Sequence, residues 1–395
     1  MKKLDSFHLL LILILLIAVG QMAQTINVPA INDIAHSFGV SGTAVQKVMA
    51  AYLLTYGASQ LIYGPLSDRF GRRPIILIGL VIFLVGAVGA LLATTLSMLV
   101  MASALQGMGT GVGGVMARTM PRDLFEGEPL RRANSLLNMG ILVSPLLAPL
   151  IGGVLSDIFN WRASYGFLLL LCGSVAISIF FLLPETRPEQ SERRSILASY
   201  RFLLSDLAFS RYLLILVGGL AGVAVFEASA GVLMGSMLGL APLTVSLLFI
   251  LPIPAAFFGS WYAGRKGHSF TTLMWHSVIC CLCAGIMMWA PAWFGVMNLW
   301  TLLVPATVFF FGAGMLFPLA TTGAMQPFPY LAGAAGALVG GSQNIGSGIA
   351  AWLSALLPHH GQESVGILML AMALLILVCW APMAYRLHHS GHPVQ

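Results

Sequence analysis

The chain has 395 residues, of which 58% are hydrophobic and 8% are charged. A water-soluble domain carries about a quarter charged residues, so this composition excludes a soluble globule and predicts that lipid surrounds most of the surface. The formal net charge is +6, and the positions of the basic residues decide whether it indicates nucleic-acid binding or a membrane topology.

Twelve apolar stretches are each long enough to cross a bilayer as an α-helix, which needs about 20 residues. The first, at 8–29, is not followed by the cleavage pattern of a signal peptide and is therefore interpreted as a retained helix. The others follow in chain order at 44–66, 73–93, 97–118, 133–156, 163–184, 210–236, 243–263, 271–292, 297–321, 332–356 and 364–386. They are too long for barrel strands, so the sequence predicts an all-α polytopic membrane protein with twelve transmembrane helices.

The basic residues predict how these helices are oriented. When the N-terminus is placed in the cytoplasm, all of the 19 lysines and arginines except Lys47 and Arg162 fall in cytoplasmic segments. This bias obeys the positive-inside rule and predicts that both termini are cytoplasmic. It also accounts for the basic net charge without nucleic acid, because these residues face anionic lipid.

The longest hydrophilic stretch lies between the sixth and seventh predicted helices. It becomes amphipathic after Ile196, which predicts a helix on the membrane surface. We therefore expect an N-terminal six-helix bundle at 1–184, a cytoplasmic linker at 185–210 and a C-terminal six-helix bundle at 211–395. Two related halves around a central site are the general design of secondary transporters.

One motif, GPLSDRFGRRP, begins at Gly64 and joins the second and third predicted helices. Gly64 and Gly71 permit a tight turn and a close backbone approach. We expect Asp68 to face the N-terminus of the eleventh predicted helix, where the helix dipole favours a carboxylate. Arg69 and Arg72 are expected to pair with acids or with lipid phosphate. The alternative is a charged loop that only obeys the positive-inside rule.

This motif resembles the signature loop of the major facilitator superfamily. Residues 138–153 resemble the antiporter motif of the drug/proton exchangers in that superfamily, and residues 161–162 and 183–186 are also similar to that branch. The resemblance spans essentially the whole chain and implies a major facilitator fold with two six-helix halves. It also implies a set of residues that serve the conformational change: Gly64, Asp68, Arg69, Gly71, Arg72, Arg118, Pro145 and Pro149.

One position departs from the pattern of that branch. Its members often carry an arginine three residues before the Gln-Gly pair of the fourth helix, and this chain has Ser103 before Gln106 and Gly107. A proton-relay role of that arginine therefore does not carry over. Arg118 lies at the cytoplasmic end of the same predicted helix and cannot replace it.

Glu227 is the one acidic residue among 13 that lies well inside a predicted span. An ionisable group at that depth costs about 2.5–3.5 kcal/mol unless it faces water or a partner. Glu227 is therefore a candidate for substrate binding and for proton coupling. The alternatives are a protonated carboxyl hydrogen-bonded between helices and a carboxyl near the outer water. Asp33, at the outer rim, is the second candidate for proton coupling, and a solvated loop acid is the alternative there.

Amides and aromatic rings within the spans are candidates for the wall of a substrate cavity. A ring that also carries a hydrogen-bonding group suits weakly oriented hydrophobic ligands. The alternatives are interhelical hydrogen bonds for the amides, packing for the rings and an interfacial belt for tryptophan. Besides Glu227, the predicted substrate-binding residues are Gln21, Gln24, Tyr52, Tyr56, Phe249 and Trp300.

Together these patterns predict a secondary transporter that exports lipophilic or amphipathic small molecules in exchange for protons, by rocker-switch alternating access. The alternative is a proton-coupled importer of a small metabolite. We expect no enzyme, because the spans carry neither paired carboxylates nor a metal-binding motif, and no phosphate-binding loop is present. The sequence thus predicts no cofactor and no metal. It predicts small compounds, protons and membrane lipids as partners, no nucleic acid, and a monomer in the bacterial inner membrane.

Overall fold

The structure is a computed structural model, and it describes residues 6–125, 127–187, 196–264, 269–328, 331–357 and 361–389. Within these ranges the chain is helical apart from short connections, and none of the described residues forms a strand. The expected all-α fold class is therefore confirmed.

The N-terminal half contains seven helices, and a 3-10 turn at Val28–Ala30 joins the first two. The helices are α1 (Ser6–Thr25), α2 (Ile31–Phe38), α3 (Gly42–Phe70), α4 (Arg72–Leu91), α5 (Leu96–Leu124), α6 (Gly127–Ile158) and α7 (Arg162–Leu182). Polar N-caps start two of them, because the side chains of Ser41 and Thr95 accept hydrogen bonds from the first-turn N–H groups of α3 and α5.

A short helix and the C-terminal half follow. The helices are α8 (Ile196–Ser205), α9 (Leu207–Ala230), α10 (Pro242–Ile250), α11 (Ile253–Ala263), α12 (Phe270–Trp293), α13 (Leu299–Met325), α14 (Ala332–Leu356) and α15 (Glu363–His389). A π-helical segment, Gly231–Met237, continues α9. The expected surface helix corresponds to α8, and residues 188–195 of the expected linker lie outside the described residues.

Nine helical stretches among the described residues are long and apolar enough to cross a membrane. The other three predicted spans coincide with α3, α6 and α14. Within α6 the described apolar stretch is the shorter segment Val143–Ile158. The total of twelve spans therefore stays a prediction.

The closest packing between the halves is that of α3 against α14. A Cβ atom on Gly57 would lie 2.6 Å from the carbonyl oxygen of Gly341, and one on Gly348 would lie 2.6 Å from the Leu54 side chain. These glycines let two backbones meet, which is how small residues act at helix contacts in membranes.

Buried apolar side chains form two large clusters, one mainly from α1–α7 and one mainly from α8–α15. A smaller cluster joins α3 to α9 and α14, and it includes Met49, Leu53, Ala228 and Ala351. The halves therefore meet along a few helices, among them α3, α9 and α14, and space for a cavity remains between them elsewhere.

The two ends of the bundle are distinguished by their connections. We call the end that carries the turn between α3 and α4 the signature end, and the other end, which carries α2, the opposite end. At the opposite end the halves are in contact, since Ser236 Oγ donates to Asn32 Oδ1 at 3.0 Å and Ser246 Oγ donates to the Pro149 carbonyl at 2.7 Å.

Candidate functional site

A cavity of about 780 Å³ lies between the two halves and extends to the signature end. This volume lies within the range of sites that hold drug-sized ligands. Helices of both halves contribute to its wall, and Tyr200 of α8 lies at its signature end. Much of the wall is apolar, with side chains that include Leu53, Leu220, Val223, Ile253, Phe257, Phe310 and Phe317.

The polar part of the wall is made chiefly of uncharged groups. Amides and hydroxyls come from α1, α3 and α14, and they include Gln21, Gln24, Thr25, Gln60, Gln343, Asn344 and Ser347. The charged residues among the described wall are Glu227 and Asp68, and both are acidic. A wall with two carboxylates and no described cation favours neutral or cationic ligands over anions.

Glu227 is the buried acid of this wall, with 7% of its surface exposed. Gln24 Nε2 donates a hydrogen bond of 3.0 Å to its Oε2 atom. This bond joins α1 to α9 and therefore crosses between the two halves. A buried carboxylate is costly without partners, and the Gln24 amide supplies one while the cavity supplies space for another.

The two predicted tyrosines lie in different surroundings. Their rings stack with centroids 5.7 Å apart, as expected for an i, i+4 pair on a helix. Tyr56 lines the cavity. The Tyr52 hydroxyl instead lies among helices of its own half, where it donates to the Gly20 carbonyl at 2.6 Å and is 2.9 Å from Thr110 Oγ1.

Three further predicted residues lie away from the cavity. Phe249 is 1% exposed and stacks on Phe226 inside the C-terminal core. Trp300 is 77% exposed at the start of α13, at the opposite end, where an interfacial tryptophan is expected. Asp33 lies on α2 and accepts a hydrogen bond of 2.9 Å from Ser156 Oγ.

The signature turn is organised around Arg72, whose side chain is 7% exposed. Its guanidinium donates to Ser67 Oγ at 2.6 Å, to Asp68 Oδ1 and to Asp123 Oδ2 at 2.9 Å. One buried cation thus holds the end of α3 against the end of α5. Asp68, which was expected at the N-terminus of the eleventh predicted helix (α14), is bonded to Arg72 in this structure, and it lines the cavity wall that also contains Gly333 of α14.

Glu185 completes the signature turn from the other side. It accepts backbone hydrogen bonds from Arg72 at 2.8 Å, from Arg73 at 3.2 Å, and from Thr186 and Arg187. Partial desolvation alone would favour the neutral acid, but these four N–H donors outweigh it and lower the pKa of the largely exposed Glu185 carboxyl. Gly71 has φ 103°, and a Cβ atom there would lie 2.5 Å from Glu185 Oε2, so glycine is required on both counts.

The remaining residues of the expected conformational set are placed as follows. The Arg69 carbonyl accepts a hydrogen bond of 2.7 Å from Arg187. Gly64 and Pro145 line the cavity, and the Pro149 carbonyl bonds to Ser246 across the halves. The side chain of Arg118 lies outside the described residues.

Sequence reasoning missed two acids of the signature turn and the role of three amides. Glu185 lies in the recognised segment 183–186, but no local pattern indicates that it caps α4. Asp123 follows the fourth predicted span, and only the folded chain brings it to Arg72. Gln60, Gln343 and Asn344 line the cavity, and a polar residue inside a predicted span was the available signal.

Comparisons with known proteins agree with this architecture. Residues 13–351 match the Major Facilitator Superfamily. The chain is 64% identical to Multidrug resistance protein D of Escherichia coli over 394 residues, which cover 100% of both chains. It is 28% identical to a Chloramphenicol resistance protein of Pseudomonas aeruginosa, over 91% of this chain and 86% of that protein.

A solved structure shares the fold. The crystal structure of a D-xylose-proton symporter superposes with a TM-score of 0.73 at 16% sequence identity, covering 94% of this chain and 97% of that chain. An identity this low supports the fold alone. The family match over most of the sequence, together with the full-length relative, identifies this chain as a member of the major facilitator superfamily.

Proposed function

We infer that this chain is a multidrug exporter that moves lipophilic or amphipathic compounds out of the cell. The observation that carries this function is the central cavity, which has apolar walls, scattered amides and two carboxylates but no described basic group. Such a wall gives contact area without fixed orientation, and this suits many different hydrophobic ligands. The names of the relatives support the same function, since they denote resistance to several drugs or to chloramphenicol.

The membrane is the bacterial inner membrane, and the signature end faces the cytoplasm with both termini. The support for this orientation is the excess of lysine and arginine in the segments at that end. In this orientation the cavity reaches the cytoplasmic side, so compounds enter from the cytoplasm or from the inner leaflet.

Export proceeds by alternating access of one monomer embedded in lipid. Contacts such as Ser236 to Asn32 close the outer side in this state. In the outward state these contacts separate and the signature end closes. A ligand shifts this equilibrium only by as much as its affinity differs between the two states.

Proton exchange supplies the energy, and Glu227 is the proposed proton carrier. Its support is its depth in α9, its burial and its position on the cavity wall. A ligand cation and a proton compete for the same carboxylate, so occupancy by one disfavours the other. Asp33, on α2 and outside the lining of the cavity, is the weaker candidate.

The exporter is tested by dye accumulation in cells stripped of their major pumps, with and without an imposed pH gradient. Expression should lower the accumulation of ethidium, a lipophilic cation, and collapse of the gradient should abolish the difference. Increased accumulation under the same gradient would support the importer instead.

The role of Glu227 is tested in reconstituted vesicles with Glu227→Gln, which keeps the shape and the capacity to bond Gln24. We expect this variant to bind ethidium more weakly than the parent, because the carboxylate is gone, and to lose accumulation driven by a pH gradient. Gln343→Leu serves as a control on the same wall, because it removes polarity without removing a proton carrier. If Glu227→Gln accumulated dye as well as the parent, the coupling group would lie elsewhere.

A further inference from the structure

A second, much smaller cavity lies inside the N-terminal half. Its volume is about 30 Å³, and its walls come from α1, α2, α3, α5 and α7. Besides Gln24, five of the lining residues carry amides or hydroxyls, namely Asn27, Gln46, Tyr52, Ser103 and Tyr165. The remaining lining residues are apolar. This cavity is distinct from the drug-sized one, but Gln24 lines both of them.

Two of the lining amides have polar atoms without a protein partner. Both the oxygen and the nitrogen of the Gln46 side chain are buried and lack a hydrogen-bond partner among the described residues, and so does Asn27 Oδ1. Gln46 is 1% exposed. Leaving a buried polar group unbonded costs about 1–3 kcal/mol, so three such atoms around one polar space indicate a bound ligand that makes hydrogen bonds.

The size and charge of the space select that ligand. A volume of this order holds about two water molecules, and buried waters typically satisfy such orphaned groups. No charged side chain is among the lining residues. Two charged residues that are adjacent in sequence to the lining contact other groups, since Asp33 bonds to Ser156 and Lys47 lies over the Trp352 ring. A neutral site of amides and hydroxyls fits water better than an ion.

The small cavity lies between the opposite end and Glu227. Gln46 is four residues into α3, which places it about 6 Å along the helix from its start at that end. Glu227 is deeper, because it lies ten residues before the end of the π-helical segment Gly231–Met237. Gln24 bonds to Glu227 on one side and borders the small cavity on the other.

We propose that the small cavity is a water site, and that its waters admit protons to Glu227 from the opposite end. Each water receives one proton from behind and passes one on, so the Glu227 carboxylate gains a proton and outer water loses one. When the Gln24 amide moves aside, the last water of the small cavity contacts the Glu227 carboxylate. This route rests on the proposed function of Glu227, and it separates proton entry from the ligand path through the larger cavity.

The test uses hydroxyl-radical labelling by X-ray radiolysis, which marks side chains next to bound water. Met49 lines the small cavity and is 8% exposed, so its oxidation reports water there. The variants are Gln46→Leu and Asn27→Leu. Asn27 lies on another wall of the small cavity, and its side chain makes no helix-capping hydrogen bond that the substitution would remove. The control is Gln106→Leu, since Gln106 is a buried amide with an unpartnered Nε2 that borders neither cavity.

We expect Met49 to be labelled in the parent and in Gln106→Leu, and labelling to fall in the other two variants. Ethidium should still bind those two variants, while dye accumulation driven by a pH gradient is lost. Unlabelled Met49 in the parent, or equal labelling in all variants, would overturn the water site.

A second outcome is that Gln46→Leu and Asn27→Leu reduce Met49 labelling but keep normal dye accumulation driven by the pH gradient. If Glu227→Gln fails to couple in the same assay, this outcome would overturn the proton route but not the role of Glu227. If Glu227→Gln itself coupled normally, the proposed function of Glu227 would be wrong and the route would fall with it, whereas the Met49 labelling would still decide the water site.

Discussion

At the opposite end the two halves meet through groups that are mostly uncharged, whereas the charged groups of the signature turn bond within the N-terminal half and the start of the linker. The bonds from Ser236 and Ser246 cross between the halves. The bonds of Arg72 and Glu185 do not cross. A neutral hydrogen bond contributes only about 0.5–1.5 kcal/mol, so the first kind of contact separates readily.

Buried ion pairs behave differently, because removing one partner leaves an uncompensated charge. Arg72 and Asp123 are 7% and 10% exposed, so their bond is expected to persist through the transport cycle. We therefore expect the opposite end to contain the moving contacts and the signature turn to move as a rigid unit. Three substitutions test this difference.

The largest effect is expected for Arg72→Leu. It leaves Asp123 buried without its partner, and breaking a buried pair in this way costs about 3–5 kcal/mol. Burial already raises the pKa of Asp123 despite the bond to Arg72. Thermal unfolding in detergent should show a large fall in Tm and poor yield.

The double variant with Asp123→Leu is the control for Arg72→Leu, because it removes both charges. It should recover much of the lost stability. If the single and double variants were equally unstable, the signature turn would not depend on this pair.

A smaller effect is expected for Glu185→Gln, which weakens the cap of α4 by about 0.5–2 kcal/mol. Because folding lowers the pKa of Glu185, its stabilisation is present above the unfolded pKa of about 4.3 and is lost as pH falls through the lower folded pKa. As the pH falls below about 4.3, the Tm of the parent should therefore approach that of the variant. A gap in Tm that did not depend on pH would contradict the charged cap.

The smallest effect on stability is expected for Ser236→Ala, which removes one neutral bond between the halves, worth about 0.5–1.5 kcal/mol. The Tm should barely change, but the population with a separated opposite end should rise. Spin labels at the exposed positions His36 and Ala241 report this separation as a distance distribution.

Ser260→Ala is the matched control for Ser236→Ala. Its hydroxyl donates to the Gly314 carbonyl at 2.7 Å within the C-terminal half, so its loss should leave the distance distribution unchanged. An equal shift in both variants would show that the opposite end is not special.

Hydropathy alone was sufficient to predict an all-helical membrane fold, because lipid offers no hydrogen bonds and leaves helices as the economical way to satisfy the backbone. Glu227 was also predictable from the sequence, because an acid inside an apolar span is costly unless it has a partner, water or a function. The motif at Gly64 located the signature turn, because a tight turn between two spans requires glycine at particular positions.

The tertiary structure decided which of these groups meet. Gln24 and Glu227 are 203 positions apart and Arg72 and Asp123 are 51 apart, and no local periodicity encodes such pairings. Tyr52 and Tyr56 share one helix face and both are buried, yet Tyr56 lines the larger cavity while the Tyr52 hydroxyl bonds among helices of its own half, beside the small cavity. Phe249 and Trp300 are residue types that suit the wall of a binding cavity, but Phe249 lies in the C-terminal core and Trp300 is exposed at the opposite end. The reason is that helix rotation and depth depend on packing between helices rather than on residue type.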